Sequence, residues 1–109
     1  MKQETKEKIS QLQNLEQNIN SIIAQKQQFQ QQNLEIENAL SQIEKTDKAF
    51  RIIGNIMVAS TKKQIKSELN EKKEIVELRL KTLDKQEDKL REQASQLQQD
   101  VLKEMKKSG

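Results

Sequence analysis

From Leu12 to Ile43 the chain sets one residue after another at alternating steps of three and four: Leu12, Leu15, Ile19, Ile22, Lys26, Phe29, Asn33, Ile36, Leu40 and Ile43. Eight of these ten are apolar, and the residues between them are mostly Gln, Asn, Glu and Lys. A spacing of about 3.5 residues sustained over several heptads is the seam of a coiled coil, not the broad apolar face of a globular helix. A second stretch repeats it. Leu69, Val76, Leu83, Leu90 and Leu97 recur every seventh residue, and Lys73, Leu80, Glu87, Ala94 and Val101 follow each by four. Only 32% of the 109 residues are hydrophobic, against roughly 45–50% in globular domains, so a compact core is excluded. What remains is a narrow stripe along paired helices, or disorder, and heptads this regular argue against disorder.

Between the two stretches lies Ala49–Ser60, AFRIIGNIMVAS, rich in β-branched residues and holding Gly54, the only internal glycine. Gly54-Asn55 is a two-residue hairpin turn signal, because glycine supplies the positive φ of primed turns. That turn pairs Ile53 with Ile56, Ile52 with Met57, Arg51 with Val58 and Phe50 with Ala59. One face then carries Phe50, Ile52, Met57 and Ala59; the other carries Ile53, Ile56 and Val58 beside Arg51. Thr61 and Gln64 have the spacing of a capping box that opens the second helix. The alternatives are a buried loop and one helix running straight through. The expected fold is mainly α: a long antiparallel coiled-coil helical hairpin with a central β-hairpin. It forms a single domain over residues 1–109, with helix about 5–46, β-hairpin about 49–60 and helix about 62–106, and the tail KKSG frays.

A central turn brings the helices together antiparallel. Placing Ile43 opposite Leu69, or Leu12 opposite Val101, gives the same register to within one residue. In that register the two polar intruders, Lys26 and Glu87, face each other, and a charge pair there is expected to hold the register. The alternative has both snorkelling to water separately. Asn33 and Lys73 have no such partners and are expected at the seam edge.

The chain has no His, Cys, Trp, Tyr or Pro. No Cys or His nucleophile, Ser-His pair or zinc site can be built, so no enzyme, metal or cofactor is expected. Residues 1–48 carry 6 basic and 7 acidic side chains, and residues 65–109 carry 11 and 10. Such sign-mixed segments lack the basic stripe and interleaved aromatics of a nucleic-acid binder. No apolar run approaches the roughly 20 residues that span a bilayer, and the N-terminus has no apolar core of a secretory signal. A cytoplasmic protein is expected.

A lone two-stranded hairpin is marginal in water, and this one has two apolar faces and two open edges. It needs a larger sheet or barrel made with other subunits. Helix, hairpin and helix in this order, with Phe50-Arg51-Ile52-Ile53-Gly54-Asn55-Ile56-Met57-Val58 at the centre, resembles the β type of prefoldin subunit. Phe50 stands where Tyr is common in that family, and Met57 where Leu is common. The stretch LRLKTLDKQEDKLREQ, Leu78 to Gln93, is similar to the second helix of archaeal β subunits. The resemblance implies that the hairpin residues Phe50, Ile52, Ile53, Gly54, Ile56, Met57 and Val58 join an oligomeric β-barrel. It implies a hexamer of two α-type and four β-type subunits that captures unfolded proteins without ATP and delivers them to a group II chaperonin. Substrate contacts at the arm tips would map to Ile9, Leu12, Val101, Leu102 and Met105. A structural coiled-coil adaptor or spacer is the competing function.

Overall fold

The computed structural model describes residues 2–46 and 48–108. Helix α1 (Gln3–Glu44) leads to strands β1 (Ala49–Ile53) and β2 (Ile56–Ser60), and helix α2 (Lys62–Ser108) follows. The strands pair antiparallel as Ala49 with Ser60, Phe50 with Ala59, Arg51 with Val58, Ile52 with Met57 and Ile53 with Ile56. Gly54 sits at the turn with φ 61°, a left-handed value that glycine adopts at no steric cost. A β-carbon there would meet no atom within 4 Å beyond its chain neighbours, so the demand for glycine is one of backbone conformation, not of space.

The two helix ends that border the hairpin each have an identifiable cause. Gln64 N donates to Thr61 Oγ1 at 3.2 Å, and Thr61 N donates back to Gln64 Oε1 at 3.4 Å. This reciprocal pair satisfies two orphan donors and starts α2 at Lys62. α1 closes two residues earlier than expected. Its last turn tightens as Lys45 N donates to Gln42 O at 3.0 Å and Thr46 N to Ile43 O at 3.5 Å, the i to i+3 pattern of a closing turn. That last turn of α1 contains no basic residue, and α2 supplies the positive charge instead. Lys62 Nζ donates to Glu44 O at 3.1 Å, and Lys66 pairs with the Glu44 carboxylate. Cations so placed neutralise the negative end of the α1 dipole. The hydrogen bond from Lys66 holds the Glu44 carboxyl below its ordinary value. α2 continues through Lys106, Lys107 and Ser108, and Gly109, the last residue of the tail expected to fray, lies outside the described residues. Lys106 and Lys107 lie in its last turn, where their charge favours the helical state.

Packing divides the chain into two units. The first joins α1 up to Gln27 with α2 from Thr82 onward. Ile19, Ile22, Leu83, Ala94 and Val101 are buried in it, and Leu12, Leu15, Leu90 and Leu97 are half-buried. The second, Gln28–Lys81, contains the hairpin. Ile43 and Val76 are buried there, with Phe29, Ile36, Leu40, Leu69 and Leu80 half-buried. The Arg79 guanidinium lies 5.7 Å from the centre of the Phe29 ring, within cation–π range. Asn33 is half-buried, as a residue at the seam edge is expected to be. Its three-four spacing brings it to the seam, and its Oδ1 is enclosed with no hydrogen-bond partner. Lys73 is half-buried and leans outward, 3.8 Å from Glu37 Oε1 and 4.0 Å from Glu77 Oε1.

Candidate functional site

The hairpin presents its apolar side chains to solvent on both faces. Ile52 is 70% exposed and Met57 66% on one face, and Ile56 is 67% exposed on the other. Phe50, Ile53 and Val58 are exposed as well. β-Branched residues formed these strands because they suit a pleated surface, but a two-stranded sheet has no second layer to cover them. Arg51, facing Val58, forms an ion pair with Glu68 of α2 and so ties the sheet to that helix. Uncovered aliphatic side chains on a paired sheet with open edges are an apolar surface that a lone chain rarely leaves in water.

A second feature lies at the helix ends of the first unit. Thr5 is 2% exposed and its Oγ1 donates to Glu104 Oε2 at 2.7 Å. Lys8 Nζ donates to Glu104 Oε1 at 2.5 Å. The hydrogen bond from Lys8, then that from Thr5, holds the Glu104 carboxyl below its ordinary value, and the bond to Glu104 raises Lys8. The seam thus ends in a polar clasp. Around it, Leu102 and Met105 are exposed, and Ile9 and Leu12 are half-buried. Val101 lies inside the seam, 8% exposed.

In the same unit Lys26 Nζ donates to Glu87 Oε1 at 3.0 Å. It also stands 2.6 Å from Asp84 Oδ1, and Arg91 Nε donates to Glu87 Oε2 at 2.7 Å. The sequence reading missed Asp84 and Arg91 here, and Thr5, Lys8 and Glu104 at the helix ends. A signal for the clasp existed: Thr5 and Lys8 continue the three-four spacing backward from Leu12, and Glu104 continues it forward from Val101. Among the described residues no group of three acidic, His or Cys side chains could hold a metal ion, and no helix is long and apolar enough to cross a membrane.

Two long helices joined by an uncovered apolar hairpin define the class: a mainly helical chain whose small sheet is left open. Comparison with known proteins gives that class a family. The family model described as prefoldin subunit matches residues 6–108. The prefoldin subunit beta of Archaeoglobus fulgidus is 39% identical over 94 residues, covering 84% of this chain and 81% of that protein. The prefoldin subunit beta of Pyrococcus furiosus is 38% identical over 96 residues, covering 85% and 82%. The crystal structure of the prefoldin beta subunit from Thermococcus strain KS-1 matches with a TM-score of 0.88 at 30% identity, covering 92% of this chain and 90% of that one. The chain belongs to the prefoldin subunit family, whose members are chaperone subunits of hetero-oligomeric complexes. Its resemblance is to the archaeal β type.

Proposed function

We propose that this chain is the β-type subunit of an ATP-independent holdase, with residues 1–109 acting as one β-type domain. Four copies join two α-type subunits through the hairpins, and the assembly holds unfolded polypeptides between its arm tips. It then passes them to a group II chaperonin. The observation that carries this reading is the uncovered hairpin, with Ile52, Ile56 and Met57 each about two-thirds exposed. Partner strands are what such a surface lacks. The cysteine-free composition suits the reducing cytoplasm, where we place its work, and the task needs no cofactor or covalent chemistry.

Clients meet the helix ends at Ile9, Leu12, Leu102 and Met105, with Val101 completing the wall beneath them. Flexible methionine suits varied partners. Each arm holds a client weakly, and several arms on one body raise the effective concentration for a single chain. The test mixes the purified chain with an α-type prefoldin subunit, measures mass by light scattering, and follows aggregation of a denatured protein without ATP. A hexamer that suppresses aggregation is expected, and Ile52→Lys with Met57→Lys should abolish both. A stable monomer that protects nothing would sink the proposal; assembly indifferent to the hairpin charges would point to a coiled-coil spacer instead.

A further inference from the structure

The first unit leaves a groove on each side of its helical seam, and the two grooves differ in chemistry. One carries charge at its rim, from Glu16 and Arg91. The other, of about 490 Å³, has Leu15 and Leu97 as its floor and only primary amides around them: Gln11, Asn14 and Asn18 from α1, Gln93 and Gln96 from α2. Gln96 Nε2 donates to Asp100 Oδ1 at 3.2 Å, which leaves its carbonyl and second N–H. The separation follows from the heptad. In both helices the stretch that lines this groove sets amides beside the seam, while the opposite groove has Glu16 and Arg91 in its lining.

Five amides around an apolar floor match one kind of partner. A primary amide offers two N–H donors and a carbonyl acceptor, the same complement that a peptide group displays. An aliphatic floor alone takes up side chains, but a backbone drawn onto it loses its water. The amides replace those hydrogen bonds. Asn14 and Asn18 are four residues apart, about 6 Å along the helix axis, close to the roughly 6.8 Å between like-facing backbone groups of an extended chain. A nucleic acid would need cations here, and the lining has none. A second copy of this chain, with 34% charged residues, would bring charges that no side chain of the lining neutralises.

We infer that this groove seats an extended, uncharged stretch of unfolded polypeptide by its backbone, reading main-chain amides and not side-chain identity. The inference rests on the holdase reading and adds to it a contact site distinct from the apolar helix ends. It also explains how varied sequences are accepted: every client has the same backbone.

The test uses the full chain in the oligomeric state it adopts in solution and a fluorescent dodecapeptide of Ser, Thr, Val and Leu. A second peptide is identical except that alternate backbone N–H groups are methylated. The parent peptide should bind about fivefold or more tighter than the methylated one, as the loss of one net hydrogen bond requires. Gln93→Glu with Gln96→Glu, and separately the uncharged Asn14→Leu with Asn18→Leu, should erase most of that preference with helicity unchanged. Gln98→Glu, on the charged groove, should keep it. Equal binding of the two peptides, no binding of either, or a preference untouched by both double variants overturns the inference. Aggregation suppression measured in parallel separates the failures. If it persists without peptide discrimination, only this groove is misassigned; if it is absent from the wild-type chain, the holdase reading falls as well.

Discussion

Lys26 Nζ lies 3.0 Å from Glu87 Oε1, and both residues stand at seam positions that their neighbours fill with aliphatic side chains. Hydrogen bonds to Asp84 first and Glu87 second raise the Lys26 amine, and bonds from Arg91 first and Lys26 second lower the Glu87 carboxyl. Such a cluster adds little over well-packed hydrocarbon, because desolvation offsets attraction. Its proposed use is negative: a slip of one heptad sets Lys26 against Leu80 or Ala94, and Glu87 against Ile19 or Asn33, so that neither charge meets its opposite. Lys26→Met and Glu87→Met should each lower the melting temperature, while the double change recovers most of the loss. Spin labels on the two helices should then report a broader distribution of registers in the double variant. Strictly additive melting shifts would remove the pairing from the account.

The clasp of Thr5, Lys8 and Glu104 carries a pH signature. Glu104 is held below its unfolded value of about 4.3, so its contribution is full above that value and is lost as pH falls through the lower folded one. Lys8 is raised above about 10.4, so its share is full below that value and is lost as pH rises through the folded one. The clasp therefore holds across the neutral range and opens in acid. Spin labels at the exposed positions Lys6 and Lys103 should show a narrow distance distribution at pH 7 that broadens below about pH 4. Glu104→Gln should broaden it already at pH 7 and remove most of the acid response. A distribution that stays narrow in acid would mean the helix ends are held by apolar contacts alone.

The heptads were legible because a seam has to repeat every three or four residues, and no other packing asks for that of so polar a chain. The strand pairing was legible from Gly54, since a two-residue turn needs a positive φ and one glycine alone could supply it. The clasp was legible by position alone and not by residue type. A Thr, a Lys and a Glu at seam spacing read as the end of the apolar stripe, because their type says solvent while only their position says seam. Asp84 was hidden for another reason: it lies outside the a and d positions and reaches Lys26 by side-chain length, which spacing does not encode. Lys62 caps α1 from across the hairpin, and no local reading of α1 finds a donor there.

Gly54 makes a direct test of the turn. A residue with a β-carbon pays roughly 1–2 kcal/mol to hold a left-handed conformation. Gly54→Ala should lower stability by about 1 kcal/mol, and Gly54→Val by more, since β-branching crowds that region further. A β-carbon at the site would meet nothing within 4 Å beyond its chain neighbours, so the alanine variant reports backbone conformation without a clash. Assembly measured by light scattering should fall in the order Gly, Ala, Val. If all three assemble alike, the hairpin is not the joining element.

The capping box gives the smallest and cleanest expectation. Thr61→Ala removes the acceptor for Gln64 N and should cost about 1 kcal/mol, with Thr61→Ser near neutral. Thermal denaturation at fixed protein concentration reads this, because an oligomer's melting temperature moves with concentration. A loss well above 2 kcal/mol would mean that Thr61 also positions the hairpin.

Asn33 should be a site where the chain can be made more stable. Its Oδ1 is enclosed without a donor, and an unsatisfied buried carbonyl costs about 1–3 kcal/mol. Asn33→Leu removes that oxygen and adds aliphatic area to a seam flanked by Phe29 and Ile36, each half-buried. Part of the gain is lost because the position is only half-buried, which leaves a stabilisation of about 1–2 kcal/mol. Asn33→Asp should move the other way, since a carboxylate there gains no partner and carries a full charge into the same enclosure. Both are read by thermal melting, and the pair is needed because either alone has a trivial explanation. If leucine destabilises while aspartate is neutral, Asn33 faces water in solution and the seam passes it by.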